Sequence, residues 1–153
     1  MKSSLSKVLH PVGGLPMVAH VVRAAGQAGV DAVALVVGRD ADKVEAAAKP
    51  FAKSVSVHMQ TDRLGTAHAV LAAREAVAAG YDDLLVMFGD TPLIDAGALA
   101  RARGKLSEGN DVVVMGFHTP NPAGYGRLVE HDHRLFAIIE DKDANEDQKK
   151  ITF

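Results

Sequence analysis

The sequence contains no cysteine among its 153 residues. Disulfide bonds and thiolate metal sites are therefore excluded. The formal net charge is only -2, so we expect neither a nucleic-acid surface nor an acidic-membrane surface. No apolar run approaches the roughly 18 residues of a membrane span. The opening residues, Met1 to Ser4, lack the apolar core of a leader peptide. Together these absences favour a cytoplasmic protein with no membrane partner.

The composition is that of an ordinary globular protein, with 48% hydrophobic and 24% charged residues. The length suits about one domain with a core of its own. We find no internal repeat, low-complexity tract or linker, so we expect one domain over residues 1–153.

Apolar patterning predicts helices that alternate with strands. The helices are expected at residues 16–28, 41–52, 66–79 and 95–107, and the strands at 32–37, 55–58, 84–88, 112–117 and from 151. Asp40 and Thr66 are expected to be N-caps. Such alternation favours an α/β fold, with a mostly parallel, Rossmann-like sheet and helices on both faces.

A small β-hairpin insertion is expected near the end of the chain. Residues 127–130 and 135–140 flank a polar turn that contains His131 and His133. We expect these two histidines to be exposed and not to bind a metal.

The segment Leu-Leu-Val-Met-Phe-Gly-Asp-Thr-Pro-Leu at residues 84–93 is the most informative. Five apolar residues without alternation predict a strand buried on both faces of a parallel sheet. Asp90 then follows the strand, at the edge where open α/β sheets bind their ligands. A carboxylate at that edge suits a divalent metal that bridges phosphate oxygens. The alternative is that Asp90 only caps the following turn.

Two segments combine residue types that suit a nucleotide. Lys7 lies in a loop before a helix, where a lysine can neutralise pyrophosphate; alternatively it is a surface lysine. Gln60 can read the edge of a base, Gly65 allows close approach to the backbone, and Thr66 starts a helix with free amides. The alternative for this second segment is a capped helix after a turn.

Two later segments suit a sugar phosphate. The loop at residues 121–127 can present backbone amides and the ring of Tyr125 to a sugar. The alternative is that this loop is a simple surface connection. In the charged segment 138–143, Glu140 can accept hydrogen bonds from sugar hydroxyls and Lys142 can meet a phosphate. The alternative for this segment is a solvated charged turn.

Five segments together resemble the uridyltransferase domain of the bacterial bifunctional enzymes that make UDP-N-acetylglucosamine. They are LSKVLHP at residues 5–11, QTDRLGTAHA at 60–69, FGDTPL at 88–93, NPAGYGRL at 121–128 and IEDKDA at 139–144. Any one of them alone is a weak signal. Their common order across nearly the whole chain makes the match specific.

The resemblance implies a nucleotidyltransferase of cell-wall precursor synthesis, serving peptidoglycan and lipopolysaccharide. It would transfer UMP from UTP to N-acetylglucosamine 1-phosphate with Mg²⁺, and release pyrophosphate. The resemblance further implies that Asp90 is a catalytic magnesium ligand and Lys7 a catalytic phosphate-binding residue. The substrate-binding residues that it implies are Gln60, Gly65, Thr66, Phe88 and Gly89 around the nucleotide, and Gly126 and Glu140 at the amino sugar.

The chain also departs from the family pattern. Ser6 replaces the usual proline, Arg63 the second glutamine and Phe88 the usual tyrosine. Met1 corresponds to the methionine that ends the family's glycine-rich loop, so we expect a partial domain without that loop, the first strand or the β-helix acetyltransferase domain. Two alternatives stay open: a non-catalytic sugar-nucleotide-binding fragment, and a nucleotidyltransferase that acts on another sugar phosphate. The oligomeric state also stays open.

Overall fold

The computed structural model describes residues 3–62, 64–132 and 134–153. These residues form two compact units, one that runs to Val113 and one that comprises Val114–Phe153. Met1, Arg63 and His133 lie outside the described residues. In the part of the chain that the structure describes, no helix is long and apolar enough to cross a membrane.

The first unit contains the larger set of helices and strands. In chain order they are β1 (Pro11–Val12), β2 (Leu15–Pro16), α1 (Met17–Gln27), β3 (Val33–Val37), α2 (Ala41–Ala48), β4 (Val55–Met59), α3 (Thr66–Ala72), α4 (Arg74–Val77) and α5 (Ala96–Ser107). Short 3₁₀ helices at Lys7–Leu9 and Lys49–Phe51 complete it. The loop that we expected before α1 therefore contains a 3₁₀ turn and a two-stranded antiparallel ribbon, β1–β2.

The strands β3 and β4 form a parallel pair, in register from Val33 opposite Val55 to Val37 opposite Met59. Helix α2 connects them, which is the βαβ arrangement expected of alternating strands and helices. One hydrophobic core lies beside this pair. Its buried members are Leu9, Val18, Val22, Leu35, Val37, Val44 and Ala48. The core thus anchors the 3₁₀ turn Lys7–Leu9 against β3, α1 and α2.

Helices α1 and α5 begin and end where local signals predict. Helix α1 ends at Gln27, and Gly29 follows in the left-handed region with a φ of 82°. The Oδ2 atom of Asp95 accepts a hydrogen bond from the Ala98 amide at 2.7 Å and caps α5. A second core cluster joins the two helices through Leu99, Ala24 and Ala28.

Of the two predicted N-caps, Asp40 is confirmed in position and Thr66 is wrong. Asp40 is the N-cap residue of α2, but its carboxylate accepts from the Ser6 amide at 3.1 Å rather than from an α2 amide. Gly65 is the N-cap of α3, with a φ of 102°, so Thr66 is already the first helical residue. The single helix predicted over 66–79 is two helices, because the backbone at Ala73 leaves the helical region with φ -100° and ψ 23°.

The prediction of a doubly buried strand at 84–88 is wrong. The structure assigns this segment to no strand, and Leu84, Val86 and Phe88 are exposed. Leu85 and Met87 point the other way and pack against the cluster around Leu99. Burial of both faces needs a packed layer on each side, and the described residues supply apolar packing to one side only. Asp90 therefore follows a half-buried segment.

The second unit contains the predicted hairpin. Strands β5 (Arg127–His131) and β6 (Arg134–Ile139) pair antiparallel, with a register irregularity at Val129 and Glu130. Two 3₁₀ helices follow, at Asp141–Asp143 and Gln148–Lys150. Among the described residues the sheets are thus β1–β2, β3–β4 and β5–β6, and β3–β4 is the parallel one.

Two further strand predictions are not met. Residues 112–117 are assigned to no strand, and Val112, Met115 and Phe117 are exposed. Residues 151–153 form no strand either, although the carbonyls of Thr152 and Phe153 accept backbone hydrogen bonds within the second unit. The Thr119 amide donates to the Thr152 carbonyl, and the Leu128 amide to the Phe153 carbonyl, both at 2.9 Å.

Candidate functional site

The structure brings the two predicted catalytic residues together. The Nζ atom of Lys7 lies 2.6 Å from the Oδ2 atom of Asp90, although 83 positions separate them in the sequence. The Lys7 side chain is 62% exposed and that of Asp90 33% exposed. An ion pair this exposed adds little stability, because water screens both charges. Its two members are therefore available to a ligand at small cost.

Gly89 explains how the two segments come so close. A Cβ atom on Gly89 would lie 3.2 Å from Cγ1 of Val8, the residue after Lys7. Because glycine has no Cβ, the chain before Asp90 can lie against the 3₁₀ turn that starts at Lys7. Leu9 fixes the other end of this turn in the hydrophobic core. Gly89 thus acts here by allowing close packing.

A cleft of about 470 Å³ lies beside Lys7. Its lining residues are Ser6, Lys7, Val8, Val36, Val37, Gly38, Arg39, Val44 and Gln60. Gly38 follows β3 and Gln60 follows β4, so the cleft lies at the carboxyl ends of the parallel pair. Ligands of open α/β sheets bind at this edge.

Gln60 joins the end of β4 to the start of α3. Its backbone amide donates to the Val37 carbonyl at 2.8 Å, which extends the pairing of β3 with β4. Its side-chain Nε2 lies 3.4 Å from the Gly65 carbonyl and 3.3 Å from Nδ1 of His68. These long contacts are weak hydrogen bonds, so the amide can exchange them for a ligand. The structure therefore brings Gln60 and Gly65 together, with Thr66 exposed at the start of α3.

The ring of Phe88 is 60% exposed and takes no part in either core cluster. Its carbonyl accepts a hydrogen bond from Thr91 Oγ1 at 2.7 Å, which closes the turn that contains Asp90. The backbone of Phe88 thus shapes this turn, and its ring faces solvent.

Two residues at the cleft were not assigned to the site from the sequence. Arg39 lines the cleft, and Asp40 follows it. Partial removal of Asp40 from water opposes its ionisation, but the Ser6 amide and the Lys43 ammonium outweigh that effect and lower the pKa of Asp40. Arg39 and Asp40 follow a predicted strand, which was a signal for a ligand site. Nothing in the sequence spacing connects these two residues to Ser6.

Gly126 and Glu140, the residues implied for the amino sugar, both belong to the second unit. In the hairpin register Arg127 lies opposite Ile139, so Gly126 and Glu140 face each other at the open end of the hairpin. A Cβ on Gly126 would lie 3.7 Å from the Ile139 carbonyl oxygen, an ordinary contact. Glu140 is exposed.

A buried arginine holds the ends of this hairpin. Arg127 is only 2% exposed, and its Nη2 donates to Oδ1 of Asp141 at 2.8 Å. Its Nη1 donates to the Tyr125 carbonyl. The Gly124 amide and, secondly, the Arg127 guanidinium lower the pKa of Asp141. Because Gly126 and Glu140 are the chain neighbours of this ion pair, it fixes their spacing.

We expect the ends of the hairpin to lose the support of the Arg127–Asp141 ion pair only at a pH below the usual pKa range of an aspartate. The folded-state pKa of Asp141 lies below its ordinary value of about 3.9. The ionised carboxylate therefore supports the fold above that value, and the support is lost as the pH falls through the lowered pKa. The amide proton of Gly124, followed by NMR from neutral to strongly acid pH, should titrate with a midpoint below about 3.9. Asp141→Asn should abolish this transition; a midpoint at or above the ordinary value would contradict it.

The chemistry of the donor set limits how a metal could bind. Within residues 3–62, 64–132 and 134–153 there is no group of three or more histidine, aspartate or glutamate side chains that could hold an ion alone. Asp90 offers one carboxylate that is one third exposed. A single carboxylate fits the binding mode in which substrate phosphates and water supply the remaining oxygen ligands.

Known proteins resemble this chain over almost its full length. Residues 1–151 match the family model of the MobA-like NTP transferase domain. The chain is 60% identical to the bifunctional protein GlmU of Sinorhizobium fredii, 61% to that of Brucella anthropi and 58% to that of Allorhizobium ampelinum. Each alignment covers 100% of this chain and 34% of the relative. The chain thus spans about a third of the length of these relatives.

These similarities confirm the resemblance to the bacterial bifunctional enzymes. They also confirm the α/β nucleotidyltransferase fold class and the nucleotidyltransferase type of enzyme. Nucleotidyltransferases of this type generally use a divalent metal, which agrees with the single carboxylate beside a lysine. The chain therefore belongs to the MobA-like NTP transferase domain family.

Proposed function

We propose that this chain transfers UMP from UTP to N-acetylglucosamine 1-phosphate, giving UDP-N-acetylglucosamine and pyrophosphate. The observation that carries the proposal is the Lys7–Asp90 pair, 2.6 Å apart beside a cleft at the carboxyl ends of β3 and β4. A cation and a carboxylate at this edge suit a phosphate and its bound metal. The similarity to GlmU proteins supports the choice of substrates.

The reaction needs the protein mainly for positioning and charge balance. A phosphate oxygen of N-acetylglucosamine 1-phosphate forms a bond to the α-phosphorus of UTP, while the bond to the leaving pyrophosphate breaks. Lys7 binds the phosphates and balances their negative charge. Asp90 would hold Mg²⁺, which when bound neutralises further phosphate charge.

The remaining residues bind the two substrates. Gln60 and Gly65 contact uracil, because the Gln60 amide has both a donor and an acceptor at the edge of the cleft. Thr66, Phe88 and Gly89 contact the rest of the nucleotide. In the second unit, Glu140 accepts hydrogen bonds from the amino sugar, and Gly126 leaves room beside it. These roles rest on the family resemblance together with the positions of Gly126 and Glu140 next to the paired residues Arg127 and Ile139.

The product would serve cell-wall precursor synthesis, and we place the reaction in the cytoplasm, where UTP is made. The partners are therefore small molecules: UTP, N-acetylglucosamine 1-phosphate and UDP-N-acetylglucosamine.

The direct test combines turnover with binding. The chain is incubated with UTP, N-acetylglucosamine 1-phosphate and MgCl₂, and the release of pyrophosphate is followed. In parallel, UTP and UDP-N-acetylglucosamine are titrated calorimetrically with and without Mg²⁺. We expect sugar-nucleotide formation and magnesium-dependent UTP binding. Lys7→Met should weaken both, and Lys49→Met, which removes another surface lysine, should change neither.

Other outcomes favour the alternatives. Binding of UDP-N-acetylglucosamine without turnover would point to a non-catalytic sugar-nucleotide-binding protein. Faster turnover with glucose 1-phosphate would point to another sugar phosphate. A folded chain that binds neither nucleotide contradicts the proposal.

A further inference from the structure

The segment 82–88 has two faces that are nearly alike in sequence. Each face consists of one aspartate and two apolar residues, namely Asp82, Leu84 and Val86 on one face and Asp83, Leu85 and Met87 on the other. The first face is exposed, and the second is partly covered. If the segment were turned over by a shift of one position, each residue would be replaced by one of similar character. The apolar pattern therefore does not decide which face packs against the cluster around Leu99.

Arg103 of α5 contacts the covered face where the segment begins. Its Nε donates to Oδ2 of Asp83 at 2.9 Å, and its Nη1 donates to the Ala28 carbonyl at 2.8 Å. The guanidinium group is a rigid plane, so the bond to Ala28 fixes the direction of the Nε–H group. The side chains of Arg103 and Asp83 are 29% and 24% exposed, so water screens this ion pair only in part.

Helix α5 supports the same face of the segment at two points. Arg103 and Leu99 are four positions apart, so their side chains lie on one side of the helix. Asp83 and Leu85 are two positions apart and share one face of the segment, in which exposure alternates from residue to residue. Asp83 contacts Arg103, and Leu85 packs against the cluster around Leu99. The ion pair and the apolar contact therefore favour the same facing.

Gly89 shows why this facing matters for Asp90. Gly89 continues the covered face, and a Cβ atom there would lie 3.2 Å from Cγ1 of Val8. In the opposite facing the ring of Phe88 would take this place, and the close approach to Val8 would be lost. Asp90 follows directly, so its carboxylate would then no longer lie beside Lys7.

We propose that Asp83 and Arg103 are positioning residues for Asp90. Together, as the anchor pair, they select the facing of the segment that brings the Asp90 carboxylate to Lys7. The role of Asp90 in this inference rests on the proposed function, whereas the facing of the segment can be tested without any nucleotide. Asp83→Ala removes the anchor and leaves Asp82, on the opposite face, as the neighbouring carboxylate. This variant should therefore favour the opposite facing.

The absence of cysteine from the sequence permits a direct test of the facing. A single cysteine is introduced on the exposed face by Val86→Cys or on the covered face by Met87→Cys, and the rate of its modification by N-ethylmaleimide is measured. We expect Val86→Cys to react about tenfold faster or more, because a packed thiol reacts only when the segment opens locally. Equal rates at the two positions would contradict the facing itself.

The same two cysteine variants are then compared in changed backgrounds. Asp83→Ala and Arg103→Met break the anchor pair and should reduce the ratio of the two rates about fivefold, an effect typical of residues that act through others. Asp82→Ala and Arg101→Met are matched controls, because both side chains are exposed, and the ratio should stay within about twofold. Circular dichroism checks folding; if Asp83→Ala does not fold, Asp83→Asn takes its place.

The separate rates distinguish positioning from a merely structural role. If the two faces exchange, the rate at position 86 falls while the rate at position 87 rises. General loosening of the segment would raise the rate at position 87 alone, and that result would overturn the proposal. An unchanged ratio in folded variants that lack the anchor pair would overturn it as well.

The effect on the site is measured separately, without introduced cysteines. Asp83→Ala should weaken calorimetric binding of UTP with Mg²⁺ about fivefold. Asp83→Asn, which keeps an acceptor oxygen for Arg103, should lose less, and Asp82→Ala should stay within about twofold of the parent chain. If the parent chain binds no UTP, the proposed function fails and the cysteine rates still decide the role of the anchor pair. Equal UTP binding by the parent chain and Asp83→Ala would show that the anchor pair does not position Asp90.

Discussion

Asp90→Asn is expected to lower uridylyl transfer about 100-fold or more, the usual loss when one electrostatic group of a transfer site is removed. Asparagine has nearly the same shape and can still accept a hydrogen bond from Lys7, so the turn at residues 88–91 should persist. The variant loses the negative charge that would bind Mg²⁺ together with substrate phosphates. Pyrophosphate release and calorimetric titration of UTP with Mg²⁺ measure the two effects.

The chain offers a matched control in Asp82→Asn, a change of another exposed aspartate before the same segment. It alters the net charge equally and should leave both measurements within about twofold of the parent chain, as surface substitutions usually do. Equal losses in the two variants would mean that net charge, and not a metal at Asp90, carries the effect. Full activity of Asp90→Asn would show that the Asp90 carboxylate has no role in the reaction.

Leu99→Ala is expected to have the largest effect on stability, about 3 kcal/mol in the free energy of unfolding. Leu99 is 0% exposed and lies at the centre of the cluster with Ala24, Ala28, Leu85 and Met87. Truncation would lose the transfer energy of the leucine side chain and leave a cavity between α1 and α5. Urea denaturation followed by circular dichroism measures the change.

Leu93→Ala is the control, because Leu93 is 90% exposed and the same atoms are removed without a cavity. Its cost should stay below about 0.5 kcal/mol. If both variants lost the same stability, Leu99 would not be the centre of a packed core. The result also tests how the segment 84–88 is anchored, because Leu85 and Met87 pack against this cluster.

Local signals in the sequence were enough to predict several elements. Helix α5 starts beside Asp95, and α1 is followed by Gly29, because a cap and a left-handed glycine act within a few residues. The β3–α2–β4 unit and the β5–β6 hairpin follow from patterns over a few tens of residues.

The errors have a common cause. The apolar runs at 84–88 and 112–117 predict buried strands only if other parts of the molecule cover them and pair with their backbone. No property of such a run specifies its neighbours. In the structure one side of the first run packs on Leu99 and the other is exposed. Asp40 is the N-cap residue of α2 as predicted, but its carboxylate caps no α2 amide, because it accepts from the distant Ser6 amide instead.

The sequence by itself determined the family, the order of its motifs and the residue types of the site, since these depend on which side chains occur and in what order. Only the tertiary structure decided which of them meet. Lys7 and Asp90 are 83 positions apart and come within 2.6 Å because Leu9 is buried in the core and Gly89 lacks a Cβ. The hydrogen bonds that join Arg39 and Asp40 to the backbone of Leu5 and Ser6, and the buried Arg127–Asp141 pair, likewise arise from contacts between segments. Contacts of this kind depend on how the chain packs, which no single segment encodes.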